Sequence, residues 1–332
     1  ERMLNKVLHP PLLILLTSTI SSFAQDVQFS QINQSKIFLN PAFAGSDQNS
    51  NFLLNHKNYS PKNFGNYIIS QASYNQKINP FHGGIGAQIV NDRQGSGTFN
   101  RIFGSIMYSY HFQLQNNIFL YAGLESKLGY LTYNTKDLIF PNMFDPIKWE
   151  LDRTNQIENF TSHSDQYLEF NTGVLMVYKN YMLRRFREFS LGVAVHHLNN
   201  PGSMLRSNQE KIPRKYNLYF DIDIPMMWKK KTSNVPILTP ILFIEAQKAR
   251  TTFQYGGIID NNSYKFGLFS RHTQQFQYFN IILYAGFNFS NYSLHYSYDG
   301  NIFGNMQKNI YSGAHEVTFT VNFQYKGENK KR

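Results

Sequence analysis

The run from His315 to Tyr325 reads H-E-V-T-F-T-V-N-F-Q-Y and alternates without an error. Val317, Phe319, Val321, Phe323 and Tyr325 are apolar or aromatic, and Glu316, Thr318, Thr320, Asn322 and Gln324 are polar. Successive side chains of a strand point to opposite faces, so one face meets an apolar medium and the other does not. A strand of about 11 residues suits a tilted crossing of a bilayer. The run ends in an aromatic residue near the last position of the chain. It reads as the closing strand of an outer-membrane β-barrel; taken alone, it could also be an edge strand of a soluble sheet.

Composition favours the barrel. Charged residues are 16% of the 332, and aromatics are also 16%, with 29 Phe and 22 Tyr against 2 Trp. Mean hydropathy is -0.42, which excludes a helical membrane protein. A barrel combines lipid-facing apolar residues with polar lumen residues, and its Tyr and Phe belong in the girdles at the two interfaces. The net charge of +11 is spread over turns, loops and the tail, as in Lys229-Lys230-Lys231 and Lys330-Lys331-Arg332. A nucleic-acid partner would require Lys and Arg clustered on one element, so none is expected. The charge lies outside the lipid band and can attract anionic headgroups or an acidic partner. There is no cysteine, hence no disulfide and no thiolate metal site.

Arg2 and Lys6 precede Leu12-Leu13-Ile14-Leu15-Leu16, and Ser22-Phe23-Ala24 follows. Residues 1–24 are expected to be a signal peptide cleaved after Ala24, leaving Gln25 as the mature first residue. Its apolar core is too short to span a membrane. No cysteine follows the cleavage point, so lipoprotein anchoring is not expected. Residues 25–49 carry Phe29, Ile32, Phe38, Leu39 and Phe43 without a clean period. Five large apolar residues argue for a segment that packs, either as a plug in the barrel mouth or across the periplasmic rim. The barrel is expected over 50–326, and 327–332 form a basic tail.

About fourteen candidate strands follow: 50–59, 65–76, 83–91, 99–112, 117–130, 167–178, 188–197, 214–224, 237–247, 252–259, 263–270, 279–289, 291–298 and 314–325. The fold class is thus all-β, an antiparallel transmembrane barrel whose first and last strands pair. Between Ile118 and Leu128 the even positions are mostly apolar, while Glu125 and Lys127 share the other face. Between Tyr216 and Ile224, Asn217, Tyr219, Asp221 and Asp223 face the lumen, because an aspartate in lipid would cost about 2–4 kcal/mol. The strands at 237–247 and 252–259 alternate less well. With the N-terminus in the periplasm, the three longest connections, 131–166, 198–213 and 299–313, all fall outside the cell. Most periplasmic ones are short, 225–236 excepted. Long outside and short inside is the barrel rule. Glycines within strands permit bending and relieve crowding in a curved wall.

No constellation carries catalysis. His163-Ser164-Asp165 is a run of adjacent residues in a polar loop and cannot stack as nucleophile, base and orienter. His196 and His197, as consecutive strand residues, would face opposite ways and not share a metal ion. Glu125, Asp221, Asp223 and Glu245 could pair with Lys127, Lys248 or Arg250 across the lumen. No cofactor is expected.

Several motifs are similar to those of one family. Gln25-Asp26-Val27-Gln28-Phe29-Ser30-Gln31 is followed by Leu39-Asn40-Pro41-Ala42-Phe43-Ala44-Gly45. Gly83-Gly84-Ile85-Gly86 leads to Asn91-Asp92-Arg93-Gln94-Gly95, and later come Val195-His196-His197-Leu198-Asn199-Asn200-Pro201. Tyr296-Ser297-Tyr298-Asp299 and Gly313-Ala314-His315-Glu316-Val317 close the set. In this order the chain resembles the PorP/SprF family of type IX secretion system membrane proteins of the Bacteroidetes. It departs at His56-Lys57-Asn58-Tyr59, where the family commonly carries Arg-Gln-Trp. The resemblance implies a non-enzymatic outer-membrane component of that system. It would support export or surface attachment of a secreted protein such as an adhesin, in some members with a link to gliding motility. Its implied partners are outer-membrane lipid, other secretion components and the C-terminal sorting domain of the secreted protein. The alternative from a different class is an outer-membrane porin or small-solute transporter, which requires a continuous path or a lined pocket.

Overall fold

The computed structural model describes residues 26–47, 49–59, 67–95, 98–134, 144–145, 150–151, 163–179, 186–202, 211–226, 235–276, 279–301 and 313–323. The expected signal peptide, Gln25, Lys229-Lys230-Lys231, Gln324, Tyr325 and the basic tail lie outside the described residues.

The wall begins with β1 (Ser50–Tyr59), β2 (Tyr67–Ile78), β3 (Gly83–Gln94), β4 (Phe99–Gln115) and β5 (Ile118–Tyr133). A short pair, β6 (Phe144–Asp145) and β7 (Glu150–Leu151), comes next in the chain and forms its own sheet. The wall resumes with β8 (His163–Lys179), β9 (Glu188–His196), β10 (Lys215–Pro225) and β11 (Ile237–Gln247). It ends with β12 (Arg250–Asn261), β13 (Tyr264–Thr273), β14 (Phe279–Phe289), β15 (Tyr292–Asn301) and β16 (Ala314–Phe323). Each wall strand pairs antiparallel with the next, β5 with β8 across the short pair, and β16 returns to β1. The closing register runs from Ser50↔Phe323 to Tyr59↔Ala314. The result is a closed fourteen-stranded barrel, which leaves no unpaired edge to aggregate.

Alternation fixes which face meets lipid. On β5, Leu124 and Leu128 are 66% and 60% exposed, while Glu125 and Lys127 are buried inside. On β16, Val317 and Phe319 face out and Glu316 and Thr318 face in. Ile106, Leu268 and Leu283 belong to the same exposed apolar exterior. A surface of this kind would be unfavourable in water and is the solvated state in a bilayer. No helix among the described residues is long and apolar enough to span; the crossings are strands.

Two features differ from what the sequence predicts. β8 starts at His163, so His163-Ser164-Asp165 lie in a strand and not in a loop. The ladder continues because Tyr133↔His163 and Leu131↔Asp165 remain paired. The strands β11 and β12 alternate poorly for a physical reason. Ile241, Phe243 and Ile258 point inward yet are apolar, because the interior they face is itself an apolar core.

Candidate functional site

Residues 26–45 occupy the inside of the barrel. Their sequence cannot join the wall as a strand: Pro41 lacks a backbone donor and Gly45 sits at φ +66. Instead the segment makes one helical turn, Lys36–Leu39, and a 3-10 turn, Pro41–Phe43. Asn40 caps the second turn, accepting from Ala42 N at 2.8 Å, with Pro41 at the first position where no donor is missed. Elements this short have no stability of their own in water. They persist because of what they touch.

The first contact is apolar. Val27, Phe29, Ile32, Ile37, Phe38, Leu39 and Phe43 are all buried and share one cluster with the inward-facing Ile69, Val90, Leu175, Tyr219, Phe243 and Ile282. Phe29 packs edge-on to Phe38 at 5.0 Å, and Phe43 edge-on to Tyr219 at 5.3 Å. Each large side chain so buried contributes about 1.5–3 kcal/mol. On β5 and β8, Gly123 and Gly173 provide the seat. A Cβ on Gly123 would fall on the backbone of Pro41–Ala42, and one on Gly173 would fall on the Asn40 side chain.

The second contact is polar. Lys57 Nζ and Tyr59 Oη donate to Gln28 O at 3.0 and 3.2 Å. Arg271 donates to Phe29 O at 2.9 Å, and Gln254 to Ser30 O at 2.8 Å. Glu316 accepts from Ser30 N at 2.6 Å and Gln31 N at 3.3 Å. Ser30 Oγ donates to Asp299 at 2.9 Å, and Gln31 Nε2 to Ser297 Oγ at 3.2 Å. Leu39 O lies 2.9 Å from Asn217 Nδ2 and 3.1 Å from His196 Nε2. Asn40 Nδ2 donates to the carbonyls of Val174 and Val193, and Asn75 accepts from Gly45 N. Buried peptide groups that left water without partners would each cost about 1–3 kcal/mol; the wall side chains satisfy them.

The third contact is ionic and centres on Asp26. Its carboxylate lies 2.7 Å from His197 Nε2, 3.0 Å from Lys215 Nζ and 3.3 Å from Arg101 Nη1. Arg101 also reaches Asp92 at 3.0 Å, and Lys127 pairs with Glu169 at 2.8 Å. Burial alone would raise the Asp26 carboxyl, but Lys215, His197 and Arg101 outweigh it and hold the group well below the usual carboxylate range. Burial would likewise lower His197; Asp26 and then Glu169 reverse that and raise it. Glu169 Oε2 is 3.0 Å from His197 Nδ1 but off the hydrogen-bonding direction. At the start of the helical turn, burial would lower Lys36, and Asp221 at 3.1 Å raises it.

The segment therefore runs the length of the barrel. Asp26 sits beside the β3–β4 and β9–β10 connections, at the end where the long loops lie. Gly45 packs on Gly84, at the opposite end where β1 begins.

Motif residues that are far apart in sequence converge here. Asp26, Phe29, Ser30, Gln31, Leu39, Asn40, Pro41, Ala42 and Gly45 belong to the segment, and His197, Asp299 and Glu316 hold it. Asp92 is one step removed, through Arg101. The remaining motif residues belong to the wall and its connections. Asn91 is half-buried on the outer side of β3, and Gly95 makes the β3–β4 turn at φ +60. Leu198 N donates to Phe170 O, and Pro201 O accepts from Ile212 N, which shapes the β9–β10 connection. His315 faces outward, 2.8 Å from Tyr296 Oη and ring to ring with Tyr298 at 5.0 Å; Gly313 adopts φ +101 before it.

Two expectations change. His196 and His197 both face the lumen, because β9 ends at His196 and His197 turns inward at φ +59. The inward carboxylates take partners that the sequence does not announce. Asp221 pairs with Lys36 and Glu245 lies 3.8 Å from Lys215, while Glu125 accepts from Gln88 and Asn171. Lys57, Arg101, Lys215 and Arg271 are central, and sequence reasoning misses them. Their signal is a charge in phase with the polar face of a strand.

A family model described as type IX secretion system membrane protein PorP/SprF matches residues 21–321. Comparison with curated proteins finds no match. Among solved structures, the toluene transporter TodX of Pseudomonas putida is 8% identical over 90% of this chain and 95% of that one, with a TM-score of 0.46. A Pseudomonas aeruginosa FadL homologue is 12% identical over 87% and 94%, with a TM-score of 0.42. The β domain of the Bordetella autotransporter BrkA is 9% identical over 84% and 100%, at 0.40. Likeness at this level assigns neither solute nor partner. With a closed antiparallel wall, an apolar exterior and a family match over most of its length, this outer-membrane protein belongs to the PorP/SprF family of type IX secretion system membrane proteins.

Proposed function

We propose that the protein is a non-enzymatic component of the type IX secretion system that supports export or surface attachment of a secreted protein such as an adhesin, and that residues 26–45 are a plug. The observation that carries this reading is the filled interior: apolar side chains of the segment and of the wall share one core where a pore would need water. A porin reading requires a continuous polar path, and the core argues against one. The work then falls to the rims, where the C-terminal sorting domain of a secreted partner and the rest of the machinery would dock. Processing after Ala24 would leave Gln25 at the free end of the plug.

Two measurements test this. In planar bilayers the intact protein is expected to be silent, and a variant lacking residues 26–45 to conduct. Deleting the gene is expected to abolish surface display of an adhesin while leaving outer-membrane permeability to small solutes unchanged. Steady conductance by the intact protein, or normal display after deletion, refutes the reading.

A further inference from the structure

The way the wall holds residues 26–45 is that of a receptor holding a peptide. A strand added to a sheet is bound by a backbone ladder. Here, among the described residues, the backbone–backbone bonds of the segment are all internal turns. Its hydrogen bonds to the wall each involve a side chain: of β1, β12, β13 and β16 at one end, of β9 and β10 further along, of β2 and β4 near Gly45, and of Asn40 itself, which reaches the Val174 and Val193 carbonyls. The wall itself closes without it, since every strand-to-strand pairing, including β1 with β16, excludes these residues. The segment can leave without breaking one bond of the sheet.

The contacts are also selective. Asp26 fits a socket of Arg101, Lys215 and His197. Three positions on, the Phe29 ring is buried against Phe38. Ser30 and Gln31 then meet Asp299, Ser297 and Glu316 through side chain and backbone together.

We propose that the lumen is a binding site for an extended polypeptide, with residues 26–45 as the ligand it holds in cis. It accepts in their place a segment of a second polypeptide carrying an acidic residue, an aromatic residue three positions later and a Ser-Gln pair after that. Exchange begins at the Asp26 end. The cationic socket lies there beside the inter-strand connections, and an incoming carboxylate competes for Arg101 and Lys215 before the apolar core is disturbed. The tether to β1 gives the resident segment a high effective concentration, so the site stays filled until a matching chain arrives. This rests on the plug reading for its biological meaning, but not for its test.

The test keeps the full chain. A protease site is inserted after the exposed Asp47, and the protein is cut only after it has folded, so the barrel never has to form empty. A fluorescent synthetic peptide of residues 25–45 is then added, and displacement of the nicked segment is followed by anisotropy and mass spectrometry. Exchange is expected. A peptide carrying Asp26→Asn and Phe29→Ala is expected to compete at least about tenfold more weakly, and a scrambled peptide not at all. A nicked segment that stays in place against a large excess, or equal competition by the substituted and scrambled peptides, overturns the proposal. Conductance of the uncut protein is recorded in parallel. A silent barrel without exchange leaves the plug reading standing and removes this one; a conducting barrel with exchange does the reverse.

Discussion

His197 Nε2 lies 2.7 Å from Asp26 Oδ2, across 171 positions of the chain. The contact exists because β9 stops one residue earlier and His197 takes a left-handed backbone that swings its ring inward. Asp26 thereby gathers three cationic groups in a space with little access to water, its own side chain being 11% exposed. Asp26→Asn keeps the shape and removes the charge. Arg101, Lys215 and His197 are then left facing each other with too few anions. Losing one partner of a buried ionic cluster costs about 3–5 kcal/mol, and the residual exposure of Asp26 puts the expected loss near the lower end. Thermal melting in detergent measures it, with Asp26→Glu as the variant that keeps most of the stability.

The same cluster gives the protein a pH window. His197 has a raised folded pKa, so its contribution is complete below the ordinary histidine value, about 6.5, and is lost as pH rises through the raised one. Asp26 has a lowered folded pKa, so its contribution is complete above the ordinary value, about 3.9, and is lost as pH falls through the lowered one. The groups facing them include Glu169, Lys127, Tyr167, Arg101, Lys215, Asp92, Tyr67 and Glu245, from β2, β3, β4, β5, β8, β10 and β11. Anchoring of residues 26–31 is therefore expected to be firmest between about pH 4 and about pH 6.5. The protection factors of the Ser30 and Gln31 amides, exchange rates corrected for the base catalysis of free amides, should fall on the alkaline side, and His197→Gln should flatten that limb only. A flat profile in the wild type would contradict it.

Much of the wall is readable from the chain, and the reason is period two. Where one face meets lipid and the other meets polar groups, as in β5, β10 and β16, the alternation sets both strand and orientation. The signal fails in β11 and β12 because Ile241, Phe243 and Ile258 are apolar on the inner face as well. They face Phe29, Phe38 and their neighbours within one core, and nothing local in 237–259 announces that. The ionic site is only half legible. Asp221, Glu245 and Lys127 read as inward charges, but the partners of the first two involve Lys36 and the Asp26–Lys215 cluster. Residues 26–47 have no single period because, beyond the turns at Lys36–Leu39 and Pro41–Phe43, they follow neither a strand nor a helix. They follow the shape of a cavity built by the rest of the chain.

Arg271 offers a sharper test of how the segment is held. Its side chain is fully buried and donates to Gln254, Asp299 and Phe29 O, all at 2.9 Å. Three directions from one planar group are beyond a lysine, whose compact ammonium cannot span them. Arg271→Lys is expected to leave Phe29 O or Gln254 without a partner and to destabilise by about 1–3 kcal/mol. The check is the urea midpoint together with the rate at which an added protease cuts near Gln28. A loss of stability without faster cutting would mean that Arg271 serves the wall alone.

Gly123 separates the wall from its occupant. Its inward Cβ position is taken by the backbone of Pro41–Ala42, while its strand pairs normally with β4 and β8. Gly123→Val suits a strand and should leave the barrel intact. It forces the 3-10 turn off its seat, an overpacking cost of about 1–3 kcal/mol. Heat-modified migration on gels should stay that of a folded barrel, while deuterium uptake over residues 36–45 increases and single-channel openings appear.

The exterior makes the last prediction. Leu124 is 66% exposed near the middle of β5, and its neighbours Glu125 and Ser126 show that the strand cannot be shifted by one residue without turning a carboxylate into lipid. Leu124→Arg places a cation in that apolar band and is expected to lower the folding free energy in bilayers by about 2–4 kcal/mol. The same substitution would be nearly neutral if this face were exposed to water. Reversible folding into phospholipid vesicles, followed by gel shift across a urea series, distinguishes the two. A change within about 0.5 kcal/mol would mean that the surface carrying Leu124, Leu128 and Ile106 does not lie against lipid.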